Sequence, residues 1–233
     1  MAKLADYRTR ITNSLDDSTS KYDNDLIDEA LRKILNEYTR AYPNIREEDI
    51  TVPATGKRQS ITSCTNLIAI VHIIHPYQAA LTDPYIYARE DYYLDFLDGV
   101  PFVFFFGDDI PQADEVMRVQ FAGKQTIEDL DSASTTTVRD DHEDILVTGA
   151  VGKAAMIRAS GLNEQWGGRS NEMASLMNWG FAQYNRFLGF LDEIKSEPTF
   201  PIMPASYWAL DDWINNDVPR TRRRRDICSF RMD

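Results

Sequence analysis

The amino-acid sequence predicts an α+β fold: a helical bundle with an inserted β-rich domain and an extended C-terminal arm. Apolar residues recur at helical spacing over residues 4–42 and again over residues 141–194. Between these regions, short β-branched and aromatic runs are separated by Gly, Pro and Asp, as in strands joined by turns. From residue 198 onward, four prolines disfavour both a long helix and a central strand. The predicted boundaries are 1–49 and 136–197 for the bundle, 50–135 for the insert and 198–233 for the arm.

The helix with the clearest boundaries is predicted between Tyr22 and Pro43. Asp23 can cap the first turn, and Pro43 cannot continue the helix. One face is apolar and is expected to be buried: Ile27, Ala30, Leu31, Ile34, Leu35, Tyr38 and Tyr42. Most of the opposite side is polar and is expected to face solvent: Asp28, Glu29, Lys33, Asn36, Glu37 and Arg40. A shorter helix, with Leu4, Tyr7, Ile11 and Leu15 on one side, precedes it and completes a helical hairpin.

The strands of the insert are predicted from five short apolar segments. They are Ile50–Val52, residues 65–74, Tyr92–Leu97, Pro101–Phe106 and Glu115–Phe121. The best hairpin signal is the pair Asp98 and Gly99 between two of these runs, because Asp-Gly suits a type I′ turn. Pro101 limits hydrogen bonding at the start of the return strand.

The second helical region begins near Asp141 and is rich in Gly and Ala. Such small residues allow helices to approach closely, although each glycine costs about 1 kcal/mol of helix stability relative to alanine. A loop is predicted over Gly161–Arg169, followed by Ser170 as N-cap and a long helix to Ile194. The apolar stripe of that helix is Met173, Leu176, Met177, Phe181, Tyr184, Phe187, Leu188 and Leu191.

No pattern in the sequence carries a recognisable catalytic or metal site. The cluster from Asp140 to Asp144, which includes His142 and Glu143, suits a helix N-terminus, where the dipole favours negative charge. His72 and His75 are three residues apart in a predicted strand and would point to opposite faces. Thr135–Thr137 is interpreted as a solvated edge or turn. These observations predict a protein that is not an enzyme and uses no cofactor and no metal ion.

The composition is that of an intracellular, soluble protein. The 233 residues show no signal-peptide pattern at the start and no apolar run near the ~18 residues of a membrane helix, so no membrane contact is expected. Cys64 and Cys228 are too far apart in sequence to suggest a disulfide framework. The net charge is −12, but six arginines and two aspartates give Pro219–Asp233 a side-chain charge of +4, which leaves −16 on the other 218 residues.

The arm combines aromatic and arginine residues, the two types that dominate protein-binding hot spots. Three interpretations are open: a protein contact, a nucleic-acid contact through Arg222–Arg225, and a basic terminus with no role. The protein contact is favoured, because the acidic remainder of the chain disfavours close approach of DNA. The candidate docking residues are Tyr207, Trp208, Leu210, Trp213, Arg220, Arg222, Arg223, Arg224 and Arg225.

Three segments resemble the head-to-tail adaptor (head–tail connector) proteins of tailed phages. The opening, LADYRTRITNSL followed by YDNDLIDEALRKILNEYTRAYP, is similar to the family's short helix and D-x-x-L-I/L-x-x-A-L…EY…P helix. The segment QTIEDLDSASTTTVRDDHEDILVTGAVGKAAMIRAS resembles its turn into a small-residue helix that ends in RA, and NEMASLMNWGFAQYNRFLGFLDEI resembles its last bundle helix. Together they cover about half of the chain in the expected order, and a large β insert is typical of only some members.

The resemblance implies a structural protein of the virion neck, present in the host cytoplasm during assembly. Such adaptors form a ring, commonly of twelve subunits, beneath the portal protein. The ring extends the DNA channel and offers its far side to stopper or tail proteins, while genomic DNA passes through without specific binding. Carried over by position, the portal-docking arm would run from Met203 to Asp233.

Overall fold

The computed structural model describes residues 2–15, 21–78, 86–87, 91–106, 110–165 and 170–196, and within them it is a mixture of α-helices and antiparallel sheets. This confirms the α+β class. The helices are α1 (Leu4–Ser14), α2 (Asn24–Ala41), α3 (Glu143–Gln165) and α4 (Ser170–Ser196). The strands are β1 (Asn44–Thr51), β2 (Arg58–Ser60), β3 (Leu67–Ile74), β4 (Ile86–Tyr87), β5 (Tyr92–Leu97), β6 (Val100–Phe105) and β7 (Val116–Gly123). Short 3₁₀ turns cover Leu130–Ser132 and Asp140–His142.

Helix α2 forms where its local signals predicted it. The carboxylate of Asp23 accepts a hydrogen bond from the backbone N–H of Leu26 at 2.8 Å, and the helix ends two residues before Pro43. The predicted apolar face is buried from Ile27 to Tyr38, and Tyr42 is half-buried. Asp28 is the exception on the side predicted to be polar, because it is buried and its carboxylate binds the guanidinium of Arg8 on α1.

Helices α3 and α4 approach closely through their glycines. A Cβ atom added to Gly152 would lie 2.7 Å from the carbonyl oxygen of Gly180, and one added to Gly149 would lie 2.8 Å from the ring of Phe187. Small residues at the crossing therefore let the two backbones touch, as the Gly and Ala content predicted. Helix α3 also continues to Gln165, so the loop predicted from Gly161 is wrong over its first five residues. A single glycine in open space does not end a helix that otherwise lacks a breaker.

A polar cluster ties α4 to the other helices. The hydroxyl of Tyr184 on α4 donates a hydrogen bond to Oε2 of Glu37 on α2 at 2.8 Å, and burial is the main cause that raises the pKa of Tyr184 to about 12. Nζ of Lys153 on α3 lies 4.6 Å from the centre of the Tyr184 ring. These contacts fix the position of α4 along α3 and α2.

The strands form two antiparallel sheets with the orders β1-β7-β3-β4 and β2-β6-β5. The predicted hairpin is present: Leu97 pairs with Val100, and the positive φ angles of Asp98 (52°) and Gly99 (80°) fit a type I′ turn. Strand β1 is longer than predicted and begins directly after Pro43, because it pairs with β7 along its whole length. The guanidinium of Arg118 on β7 bonds the carboxylate of Asp49 on β1, which lowers the pKa of Asp49.

One apolar core lies between the strands of both sheets. Its buried members include Val52, Ile61, Cys64, Ile73, Tyr87, Tyr92, Val103, Phe105, Met117, Val119 and Phe121. The Cys64 thiol is free, and burial raises its pKa to about 11. The short strands β2 and β4, which the sequence did not predict, add Gln59 and Tyr87 to the buried residues of this region.

Residues Asp140–Leu162, most of which belong to α3, meet the length and composition criteria for a membrane-spanning helix, contrary to the expectation that no stretch would. Half of that stretch is buried, and α3 packs against α1, α2 and α4. A core helix rich in Gly, Ala and Val satisfies the same criteria, and its packing against three helices accounts for the composition.

A buried hydrogen bond between α2 and the start of α3 gives a first testable prediction. Oη of Tyr38 lies 2.7 Å from Nδ1 of His142, and both residues are at most 4% exposed. Tyr38→Phe removes this bond within the core, so the free energy of unfolding should fall by about 1–3 kcal/mol in urea denaturation. The control is Tyr93→Phe at a position 41% exposed, which should stay within ~0.5 kcal/mol of the parent. Equal effects of the two variants would contradict the prediction.

Candidate interaction surfaces

The docking residues predicted for the arm lie outside the described residues. This applies to Tyr207, Trp208, Leu210, Trp213, Arg220, Arg222, Arg223, Arg224 and Arg225. Cys228 also lies there. The last described residue is Ser196, where α4 ends, so the surfaces that the structure describes lie before residue 197.

The acidic cluster at residues 140–144 attaches α1 to the start of α3. The carboxylate of Glu143 accepts hydrogen bonds from the backbone N–H of Ala2 at 2.8 Å and from the guanidinium of Arg10 at 3.0 Å. Asp144 also binds Arg10. The guanidinium of Arg139 bonds Asp141 and lowers the pKa of that carboxyl. The acidic residues therefore lie at the N-terminus of a helix, as predicted, and they also form ion pairs with Arg10 and Arg139.

His72 lies in β3 and His75 directly follows this strand; the two side chains have different surroundings. His72 is half-buried, and burial lowers its pKa. His75 is buried, and its Nε2 lies 3.0 Å from Oε2 of Glu115, but the two groups are not aligned as a hydrogen bond. Within the described ranges, no three or more His, Cys, Asp or Glu side chains are grouped so that they could hold a metal ion.

The threonine run is a structural connection, and its interpretation as a solvated edge is wrong for Thr136. Thr136 is 4% exposed; its hydroxyl donates to the carbonyl of Ala2 at 2.7 Å and accepts from the backbone N–H of Glu128 at 2.9 Å. The hydroxyl of Thr137 donates to Oε1 of Gln125 at 2.7 Å. The run therefore holds the residues before α1 against the segment that leads to α3.

The outward side of the β2-β6-β5 sheet is aromatic; we call Tyr93, Phe102, Phe104 and Phe106 the aromatic sheet face. The ring of Tyr93 lies 5.2 Å from the rings of both Phe104 and Phe106. The guanidinium carbon of Arg58 lies 4.0 Å from the centre of the Phe102 ring. Tyr93 and Phe106 are 41% and 55% exposed. Among the described residues, this face is therefore accessible to another molecule. The sequence signal is that Phe102, Phe104 and Phe106 alternate along β6 and just beyond it, which places aromatic rings on one side of the strand.

A second apolar surface lies on α4, on the side away from α3. We call this the outer face of α4 and define it by Asn178, Trp179, Phe181, Ala182, Asn185, Leu188 and Gly189, all exposed. Phe181 is 49% exposed, and Trp179 and Leu188 are 38% and 37% exposed. Phe181 and Leu188 belong to the stripe that was predicted to be buried. They stay exposed because α4 packs mainly on α3 and contacts α2 only slightly.

Among the described residues, therefore, the surfaces with unusual chemistry are apolar and exposed. No protein-family model matches the chain, and no curated protein matches it in sequence.

Proposed function

We propose that this chain is a head-to-tail adaptor of a tailed-phage virion, forming a ring under the portal that extends the DNA channel and connects capsid to tail. The proposal rests on one observation. The three segments with adaptor-like sequence coincide with α1 and α2, with α3, and with α4, and these helices contact one another although strands β1–β7 separate α2 from α3 in the chain. Such a helical platform interrupted by a β region is the organisation that the resemblance implies.

The finer architecture belongs to the same proposal. Residues 1–49 and 136–197 would form the bundle, residues 50–135 the insert, and residues 198–233 the portal-docking arm. The two apolar surfaces support this role, because a contiguous exposed apolar patch on a water-soluble protein generally marks an interaction site. The acidic body supports it as well, since a negative channel wall repels DNA and lets it pass.

The arm is tested by removing its two tryptophans. The full chain with Trp208→Ala and Trp213→Ala is mixed with portal rings of the same virus, and co-sedimentation is measured. Truncation of a hot-spot residue typically costs at least ~2 kcal/mol, so the double variant should bind about 100-fold or more weakly. The matched control is Leu97→Ala at the β5–β6 turn, which is 49% exposed, lies outside both named apolar surfaces and should dock like the parent. Docking of the double variant with parental affinity would contradict the proposed role of the arm.

A nucleic-acid-binding module is the second candidate, favoured by the run Arg222–Arg225. Four arginines can neutralise about four phosphates, which corresponds to non-specific binding at roughly 10⁻⁴–10⁻⁶ M near physiological salt. Replacing all four by serine should then abolish retention on duplex DNA and flatten its dependence on salt concentration. If the variant and the parent are retained equally, the module is excluded and the adaptor remains.

A further inference from the structure

The outer face of α4 carries almost no charge, unlike the exposed side of α2. From Met173 to Leu191, nineteen residues, Arg186 is the only charged residue, in a chain of which 27% is charged. The exposed side of α2 has the composition of an ordinary solvated helix, with Asp25, Glu29, Arg32, Lys33 and Arg40. The exposed side of α2 is therefore charged, and α4 differs from it over five turns.

The shape of this face suits a packed partner. At 100° per residue, Phe181 and Leu188 lie above one another on one flank, and Trp179 lies on the opposite flank. Asn178, Ala182, Asn185, Arg186 and Gly189 lie between the flanks, and a Cβ atom added to Gly189 would meet nothing within 4 Å. The small side chains of Ala182 and Gly189 leave room for the ridge of another element.

We propose that the outer face of α4 is the surface through which one copy of this chain packs against a second copy. The argument for this occupant is electrostatic. Two copies that each carry −12 repel one another through most of their surfaces, and α4 is where they can meet with the least repulsion. Arg186, which lies between Ala182 and Trp179 around the helix, is exposed and positive, so it is attracted to the acidic surface of the other copy.

Other occupants fit this surface less well. Nucleic acid is bound through several Lys or Arg side chains, and here Arg186 stands alone. A helix that lies on a membrane combines its apolar face with a polar face rich in Lys and Arg. The face has the composition of the core of a subunit interface, where charged residues are depleted and aromatic residues and Arg are enriched.

The area of the face predicts a weak contact. The stretch Met173–Leu191, nineteen residues, is about 29 Å long and the helix is 10–12 Å wide, so one face buries about 300 Å² per copy. The total lies below the ~1,200 Å² of a stable interface, so isolated copies should associate reversibly, with a dissociation constant of about 10–500 µM. The inference deepens the proposed function and rests on it in one respect: in a ring, the outer face of α4 on one copy would meet a different surface of its neighbour, and closure would make many such weak contacts cooperative.

Sedimentation equilibrium of the full chain up to ~1 mM tests the inference. The parent should show a monomer–oligomer equilibrium in the range above, and the double variant Phe181→Ser/Leu188→Ser should associate about 30-fold more weakly. The matched control is Phe96→Ser at the end of β5, which is 51% exposed against 49% for Phe181 and should leave association unchanged. All variants should keep the parental melting temperature, because the substituted side chains lie at the surface.

Four results would overturn the inference: a parent that is monomeric at ~1 mM, an α4 double variant that associates like the parent, an equal loss in Phe96→Ser, or binding of α4 to anionic vesicles without self-association. If the α4 double variant associates like the parent but its residues 198–233 are cleaved faster by a protease, the chain's own C-terminal segment covers α4. Docking of the parent to portal rings separates the two proposals. A parent that associates with itself but does not dock rejects the adaptor, and unchanged self-association of the α4 double variant rejects the α4 contact.

Discussion

Replacing Gly152 by alanine should lower the free energy of unfolding by about 2–3 kcal/mol, although alanine is the better helix former by about 1 kcal/mol. The reason is the crossing of α3 and α4. A Cβ atom at this position would lie 2.7 Å from both the carbonyl oxygen of Gly180 and the backbone nitrogen of Tyr184. Backbone atoms cannot rotate away as a side chain can, so the two helices must separate and lose packing along their contact.

Gly161→Ala is the matched control in the same helix. Nothing lies within 4 Å of a Cβ atom at Gly161, so only the intrinsic preference acts, and the variant should be more stable by up to ~1 kcal/mol. Urea denaturation monitored by circular dichroism measures both variants. The expected effects have opposite signs. If both substitutions stabilise the protein, α3 and α4 do not cross at Gly152 and the packing described here is wrong.

Elements with local signals were predictable from the sequence. Helix α2 is bounded by Asp23 and Pro43, and the β5–β6 hairpin by Asp98 and Gly99; in each case the decisive residues are close in sequence. The α+β class followed from the change between helical and strand patterns along the chain. The Gly and Ala residues of α3 predicted a close helix approach, but the pairing of Gly152 with Gly180 depends on a partner 28 positions away and could not be read from α3 alone.

What the sequence did not reveal depends on distant partners. Strand β1 carries several charged residues and becomes a strand because it pairs with β7 along its whole length. Thr136 is buried because the residues before α1 return to it. The whole apolar stripe of α4, including Phe181 and Leu188, was predicted to be buried, since periodicity measures which residues are apolar and not how many neighbours a helix has. Only the structure shows that α3 packs on one side of α4 and leaves the outer face exposed.

Asp28 shows the same limit, and it leads to the second large effect. The residue was predicted on the polar side of α2, yet its side chain is 10% exposed and its two carboxylate oxygens accept hydrogen bonds from Nε and Nη2 of Arg8 at 2.9 and 2.7 Å. Arg8→Met keeps most of the apolar stem and removes the charge that compensates the carboxylate. We expect a loss of about 2–3 kcal/mol of unfolding free energy, below the 3–5 kcal/mol typical of fully buried pairs, because Arg8 is 32% exposed to solvent.

The comparison within α2 is the exposed pair of Glu29 and Lys33, whose side chains are 53% and 46% exposed. Lys33→Met removes a cation four residues from its carboxylate, just as Arg8→Met removes the cation that binds Asp28. Because water screens the exposed pair, its loss should cost at most ~0.5 kcal/mol. Thermal and urea denaturation of the two single variants therefore separate the effect of burial from the effect of removing a charge.

The double variant Arg8→Met/Asp28→Leu decides what the ion pair contributes. If the cost of Arg8→Met comes from a carboxylate left in an apolar site, replacing that carboxylate by leucine should restore most of the lost stability, since apolar residues often substitute for buried ion pairs without loss. The two substitutions should then be strongly non-additive. If the losses of unfolding free energy from the two substitutions add instead, the Arg8–Asp28 pair acts by orienting α1 on α2. The attachment of α1 to the rest of the fold then depends on the geometry of the guanidinium and not on burial of charge.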